Sequence, residues 1–424
     1  MKLRVMLGGT PCGELVIDEH HRFSFCYLPD YVATSQHRLS VSMPIRAQHY
    51  PDRIAFPWFE NLLPEGILRH QIAEDLATDV QNIPGLLARL GGDVAGAVSL
   101  NVDEELSANT KLTQAEPLDE QRLGQLLDES ARHPFLAARA GGPRLSLAGA
   151  QQKLPVAVTG DALMLPVSMP STHLLKPPSE RFNALPQNEY LCMHAARRAG
   201  LVVADVSLRP YLTMAGRREV CLQITRYDRL RREAGDVIRV HQEDICQAMS
   251  IVSSRKYEQD GGPSAADLFE TIRRYSATPA QDIVELLKRM LFNILIGNED
   301  AHGKNFSLLY RGTKPVLSPA YDLVSTSLYP DLSRDFAMSL GGARCFDELD
   351  GESFEAFGEQ TGTAPARMRV VLARFLKQAL EAVELAAADV QAWCDGDAAR
   401  MSGALVEQSR ARYRVLERLV AGLR

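Results

Sequence analysis

Asp300 and Asn305 stand in the run Gly297-Asn298-Glu299-Asp300-Ala301-His302-Gly303-Lys304-Asn305-Phe306-Ser307. Their D-x4-N spacing is that of a protein-kinase catalytic loop, where the aspartate takes the proton of an acceptor hydroxyl and the asparagine holds Mg²⁺. A further acid, Asp322, follows in Pro319-Ala320-Tyr321-Asp322-Leu323, after a strand–turn–strand pattern. Three oxygen donors so spaced suit phosphoryl transfer, which depends on positioning and on neutralising phosphate charge. His302 and Lys304 add cationic potential to the same loop. The spacing also fits a plain turn, with Asn298-Glu299-Asp300 capping a helix end and Asn305 supplying the next turn. Spacing alone leaves both readings open.

Four other segments bear on the choice. Gly141-Gly142-Pro143-Arg144-Leu145-Ser146-Leu147-Ala148-Gly149-Ala150-Gln151-Gln152-Lys153 is rich in small residues, which let backbone N–H groups approach phosphate oxygens. It is neither of the common glycine-rich phosphate motifs and reads equally as a tight β-turn. Lys176 closes the apolar strand Thr172-His173-Leu174-Leu175-Lys176, and Glu189 on a following helix is a candidate partner. Such a lysine bridges phosphates in a kinase, and elsewhere simply points to water. Thr225-Arg226-Tyr227 ends a strand and could offer its backbone to adenine, or could be a strand end with surface ion pairs. His241-Gln242-Glu243-Asp244 reads as the opening of a helix, with acids suiting the N-terminal dipole.

The elements that must position these residues follow from patterning. Residues 1–45 read as short strands, 58–90 as helix, 94–102 as one more strand, and 103–117 as a polar connection. Strand signals resume from 144 to 226, interrupted by a helix near 187–199. Beyond 240 the chain reads as mostly helical, with a buried helix at 280–296 and two more near 366–389 and 400–422. The last two carry basic residues, Arg367, Arg369, Arg374 and Lys377, then Arg410, Arg412, Arg414 and Arg418. These are solvated helix faces or a surface for nucleic-acid phosphates. The expected domains are 1–105, 106–228 and 229–424, a β-rich half followed by a helical half.

Composition sets outer limits. With 424 residues, 46% of them hydrophobic, the chain can bury a large core. A net charge of −6 argues against nonspecific coating of nucleic acid. The seven cysteines are scattered, with no CxxC pair, which suits reduced thiols rather than a disulfide frame or a zinc site. The N-terminus has no signal-peptide pattern and no apolar run reaches membrane-spanning length, so a cytoplasmic protein that makes no membrane contact is expected.

Taken together, these motifs resemble the HipA family, the serine/threonine-kinase toxins of bacterial toxin–antitoxin modules. The resemblance runs over nearly the whole length. It includes Phe59-Glu60-Asn61-Leu62-Leu63-Pro64-Glu65-Gly66, Gly92-Asp93-Val94-Ala95-Gly96-Ala97-Val98, Ser146–Lys153, Thr172–Lys176, His241–Gln247, Gly297–Ser307 and Pro319–Ser325. It implies an α+β, two-lobed protein-kinase-like fold with an extra small N-terminal α+β unit. It implies ATP and Mg²⁺ as cofactors, Asp300 as base, and Asn305 and Asp322 as metal ligands. Ala148, Gly149, Ala150, Gln151, Gln152 and Lys153 would cover the phosphates and Lys176 would contact them. His302, with Gly303, Lys304 and Tyr321, would lie by the nucleotide, and Thr225, Arg226 and Tyr227 would hold adenine. Ser146 falls at the family's inhibitory autophosphorylation site, where added negative charge would eject the phosphate loop. Gln152 stands where an acid is expected, and Thr225 likewise replaces an acidic residue. The implied partners are a HipB-like helix-turn-helix antitoxin, operator DNA through that complex, and a protein substrate such as an aminoacyl-tRNA synthetase.

Overall fold

The structure, a computed structural model, describes residues 1–102, 115–132, 151–160, 162–166, 169–232, 236–390 and 396–423. The chain forms two compact units. Unit 1 comprises Met1–Pro177, Arg209–Ser254 and Leu308–Pro315, and unit 2 comprises Pro178–Leu208, Arg255–Ser307 and Val316–Arg424.

Unit 1 opens with strands β1 (Lys2–Leu7), β2 (Thr10–Ile17), β3 (Phe23–Tyr27) and β4 (Val98–Val102), antiparallel in the order β3-β2-β1-β4. Leu3, Val5 and Leu7 are buried on one face of β1, the period-two pattern of a half-covered sheet. Gly13 is required there, since a Cβ would come within 2.3 Å of the Phe25 ring. The expected strand region to residue 45 ends sooner: α1 (Pro29–Thr34) begins at Pro29, whose fixed φ suits a first helical turn. Helices α2 (Asp52–Glu60), α3 (Gly66–Asp75) and α4 (Ile83–Leu90) follow, and Trp58 and Phe59 join Phe23, Phe25 and Tyr27 in one apolar core.

The second sheet of unit 1 contains β5 (Ala115–Leu118), β6 (Leu154–Thr159), β7 (Ala162–Pro166), β8 (His173–Lys176), β9 (Val206–Leu212) and β10 (Arg218–Thr225), in the order β5-β7-β6-β8-β10-β9. Register places Leu222 opposite Lys176 and Thr225 opposite His173. Helix α5 (Glu120–Arg132) contributes Leu123, Leu126 and Leu127 to the core beneath.

Buried polar residues stitch the N-terminal sheet region to the rest of unit 1. Asp93 and Asp228 lie among Arg226, Arg229 and Arg239, with Asp93 2.7 Å from Arg229 and Asp228 2.8 Å from Arg226. Burial opposes the charge on Asp93, but the three guanidiniums outweigh it and hold the carboxyl well below its ordinary range. Burial also pushes Arg229 down to about 10. The Glu243 carboxylate accepts from Ser40 Oγ at 2.6 Å, Val41 N–H at 2.9 Å, Trp58 Nε1 at 3.0 Å and Tyr310 O–H at 2.5 Å. The His241–Asp244 segment is thus a strand and a strut rather than a helix opening. Only Asp244 behaves as expected, capping the single turn Ile245–Ala248 in a reciprocal box with Gln247.

Unit 2 is mainly helical: α6 (Leu185–Arg198), α7 (Ala265–Tyr275), α8 (Pro279–Ile296), α9 (Gly351–Gln360), α10 (Pro365–Val390) and α11 (Gly396–Gly422). Helix α10 packs on α6, α8 and α11. Helix α8 buries a broad apolar stripe, as its periodicity predicts. The region beyond 240 is less helical than expected, since short strands also form at Ser307–Tyr310, Asp335–Leu340 and Ala343–Cys345.

His241 tests the strut. Its ring is buried with Nε2 2.7 Å from the Leu39 carbonyl, and burial lowers its pKa to about 4. The unfolded chain therefore binds a proton that the folded chain refuses between pH 6.5 and 4, so stability falls as pH drops through that window. The full window is worth about 3 kcal/mol. Denaturant titrations at pH 7 and pH 4.5 should show the wild type losing most of that amount relative to His241→Gln; equal pH slopes would refute the assignment.

Candidate active site

The candidate loop begins where α8 must stop. Gly297 takes φ +68°, and a Cβ there would lie 1.9 Å from Ser327 Oγ, so glycine answers both backbone and packing. Beyond it the Asn298 N–H bonds the Asn293 carbonyl at 2.8 Å, and Asn298 Oδ1 accepts from the Asp300 N–H at 3.2 Å. The chain then makes a short turn over Gly303–Asn305, in which Asn305 Oδ1 accepts from the His302 N–H at 3.0 Å.

The far side of the site comes from the segment around Asp322. Ala320 is bonded through both backbone groups to the Val202–Ala204 stretch, by an N–H to the Val202 carbonyl at 2.8 Å and a carbonyl to the Ala204 N–H at 2.9 Å. Tyr321 O–H donates to the Lys304 carbonyl at 2.6 Å and stands 2.6 Å from Ser307 Oγ. Its hydroxyl braces the loop. Asp322 follows at φ +59°, a left-handed conformation that aspartate tolerates better than most residues and that clusters at functional sites. That turn brings Asp322 Oδ2 within 3.1 Å of Asn305 Nδ2, across 17 residues of sequence. Asp300 receives a hydrogen bond at 2.8 Å from the hydroxyl of Tyr257, a residue that motif spacing did not single out.

Glu299 anchors the loop from behind. It is buried, its N–H donates to Thr326 Oγ1 at 2.8 Å, and its carbonyl accepts from the Ala337 N–H at 2.9 Å. Its carboxylate pairs with Arg412 of α11 at 2.6 Å, and Arg412 also donates to the Ile294 carbonyl at 2.9 Å. Burial pushes the Glu299 carboxyl above its ordinary range, and the Arg412 charge pulls the other way. Arg412 is therefore an internal clamp, not part of a phosphate-contacting face. Arg410 pairs with Glu384 at 2.7 Å, and Arg418 bonds the Arg414 carbonyl at 3.2 Å.

The structure thus gathers Asp300, His302, Gly303, Lys304, Asn305, Tyr321 and Asp322 within unit 2. The other expected residues lie in unit 1. Gln151, Gln152 and Lys153 are half-buried just before β6, and Lys176 is buried at the end of β8. Glu189 is buried in α6 of unit 2. Thr225 ends β10, and the Tyr227 hydroxyl donates to Gln242 Oε1. Arg226 corrects the reading of a surface ion pair: its guanidinium is wholly engaged by Asp228, Ser171 and the Val94 carbonyl. Its backbone N–H is also committed, to the Thr172 carbonyl at 2.9 Å. Ser146, Ala148, Gly149 and Ala150 lie outside the described residues.

Family comparison agrees with this architecture. Residues 3–101 match the HipA N-terminal domain, and residues 145–383 match the HipA-like C-terminal domain. A Sinorhizobium fredii protein named "Putative kinase Y4mE" is 40% identical over 90% of this chain and 90% of its own. The serine/threonine-protein kinase toxin HipA of Shewanella oneidensis is 31% identical over 84% of this chain and 81% of its own. Among solved structures, the Shewanella oneidensis toxin–antitoxin complex of HipA, HipB and operator DNA matches with a TM-score of 0.85. That match has 26% identity and covers 97% of this chain and 96% of that one. The α+β, kinase-like fold expected from the sequence stands, and the fold with its relatives defines a kinase. The chain belongs to the HipA family. No helix among the described residues is long and apolar enough to cross a membrane.

The Glu299 clamp yields a direct test. Arg412→Leu leaves the buried Glu299 carboxylate with only the exposed Arg334, 3.9 Å away, as counter-charge and should cost about 3 kcal/mol of unfolding free energy. The double variant Arg412→Leu/Glu299→Leu should recover much of it. Additive losses in denaturant titrations would show that the two side chains do not act as a pair.

Proposed function

We propose that this protein is an ATP- and Mg²⁺-dependent serine/threonine protein kinase that serves as the toxin of a toxin–antitoxin module. The observation that carries the reading is the approach of Asn305 to Asp322 in the loop that also bears Asp300. The Asp322 carboxylate accepts from Asn305 Nδ2, and the Asn305 amide oxygen also accepts from the His302 N–H. Both are hard oxygen donors of the kind that would hold Mg²⁺ when substrate phosphates complete its shell. Bound there, Mg²⁺ would neutralise charge on the β- and γ-phosphates.

In this reading Asp300 takes the proton from the acceptor hydroxyl as that oxygen bonds to the γ-phosphorus. The bond from phosphorus to the β,γ-bridging oxygen breaks, releasing ADP. Asn305 and Asp322 hold the metal. Lys176 and the Ala148–Lys153 loop steady the phosphates, with His302, Gly303, Lys304 and Tyr321 around them, and Thr225–Tyr227 offer backbone to adenine. The Arg226 side chain and N–H are committed elsewhere, and its carbonyl already accepts from the Arg229 N–H at 3.2 Å. Its contribution is the second lone pair of that carbonyl. Ser146 is the proposed autophosphorylation site. The named assembly of the Shewanella protein supports a HipB-like helix-turn-helix antitoxin as partner, with operator DNA reached through that complex. A translation-related protein, such as an aminoacyl-tRNA synthetase, is the proposed substrate.

Asp300→Asn and Asp322→Asn should each lower transfer from γ-labelled ATP to protein by roughly 10²- to 10⁴-fold. Both should relieve growth arrest with an unchanged melting temperature, because asparagine also accepts the left-handed backbone at 322. Full transfer in either variant would sink the proposal. Label found in a metabolite instead would indicate a small-molecule kinase, and no label from the folded wild type would indicate a silent antitoxin-binding partner.

A further inference from the structure

The phenol of Tyr257 meets the proposed base, and the segment that delivers it is built to hold it there. Residues 255–262 read Arg255-Lys256-Tyr257-Glu258-Gln259-Asp260-Gly261-Gly262. Gly261 takes φ +82°, and a Cβ on Gly262 would lie 2.2 Å from the Arg255 carbonyl oxygen. The Arg255 guanidinium closes the turn by donating to the carbonyls of Asp260 at 3.1 Å and Gly261 at 3.2 Å. Tyr257 is then clamped from both neighbours. The Lys256 carbonyl accepts from the Gly303 N–H at 3.3 Å, within the candidate loop itself. The Glu258 carboxylate accepts from the Ser339 N–H at 2.5 Å and Oγ at 3.0 Å. So placed, the Tyr257 ring meets His302 edge-on at 5.2 Å, and its hydroxyl donates to Asp300 Oδ1 at 2.8 Å.

A proton-accepting carboxylate must point at the acceptor oxygen, and an aspartate side chain has two torsions to fix. A hydrogen bond to a charged group is short and directional, and it costs little reorganisation when its donor is already braced. Tyr257 is such a donor. Its bracing on both sides argues against a swinging gate, which would need one anchor to release.

We infer that Tyr257 is a positioning residue for phosphoryl transfer, its hydroxyl holding the Asp300 carboxylate in the orientation that takes the acceptor proton. The inference rests on the kinase reading of the loop and adds to it a residue that acts through the base rather than on substrate.

The test is Tyr257→Phe in the full chain, which removes one oxygen and keeps the ring. Acid-precipitable label from γ-³²P ATP is followed with the chain alone and with heat-treated cell lysate as acceptor, against Asp300→Asn as background. The maximal rate should fall roughly 10- to 100-fold, the loss expected for one hydrogen bond to a charged group. The ATP concentration at half-maximal rate should stay within twofold, as should the melting behaviour. Ser339→Ala, which loosens the clamp without touching the phenol, should give a smaller fall of the same kind. An unchanged maximal rate in Tyr257→Phe overturns the inference. So does a parallel rise in the ATP requirement, which would make Tyr257 a nucleotide contact, or phosphate on Tyr257 of the wild type, which would make it an acceptor. If Asp300→Asn labels protein as well as the wild type, the kinase reading of the loop falls and the inference with it. If Asp300→Asn is inert and Tyr257→Phe runs at full speed, the inference alone falls.

Discussion

The buried pair between Glu299 and Arg412 is the constraint on which the loop depends. A carboxylate removed from water needs a counter-charge, and here the nearer of two guanidiniums comes from α11, 113 residues away, with Arg334 at 3.9 Å on the other oxygen. The pair fixes the residue immediately before Asp300, while bonds from its N–H to Thr326 Oγ1 and to its carbonyl from the Ala337 N–H fix the peptides on either side of it. Asp300 therefore starts from a backbone with little freedom. Its side chain is reached by Tyr257, whose hydroxyl donates to Oδ1 at 2.8 Å.

Unit 1 shows the same habit of placing charge in the interior. Three arginines and two aspartates surround the Val94–Gly96 turn, and Glu243 gathers four donors from distant segments. Apolar packing would join these segments equally well, but with less directional control. Arg226 and Asp228 flank Tyr227, so the cluster also sets the course of the chain through the proposed adenine segment. Folding of the N-terminal region and the shape of that segment are thereby linked through unit 1.

Much of this was legible in the sequence where function and local pattern coincide. The D-x4-N spacing, the downstream Asp322 and the apolar stripe of α8 are local signals, and the structure gathers the loop residues as those signals imply. Legibility failed where a residue's role is set by a distant partner. Arg412 looked like one basic residue among several, because helical periodicity cannot tell which guanidinium turns inward without knowledge of Glu299. His241–Asp244 contains no apolar residue, so no strand alternation could reveal it, and its acids suggested a helix start instead. Tyr257 carried no recognisable motif; its meaning lies in a loop whose glycines and Arg255 fold it back towards Asp300.

The kinase proposal stands on Asn305 and Asp322 holding a divalent ion that arrives with nucleotide. Titration of Mn²⁺ into the protein with a non-hydrolysable ATP analogue, followed by the electron paramagnetic resonance of free Mn²⁺, tests that binding without relying on any acceptor. Nucleotide-dependent Mn²⁺ binding is expected in the wild type and should weaken at least tenfold in Asp322→Asn, consistent with loss of a carboxylate from a site with few protein ligands. Equal Mn²⁺ binding by the two proteins, or binding that ignores the nucleotide, would contradict the proposal.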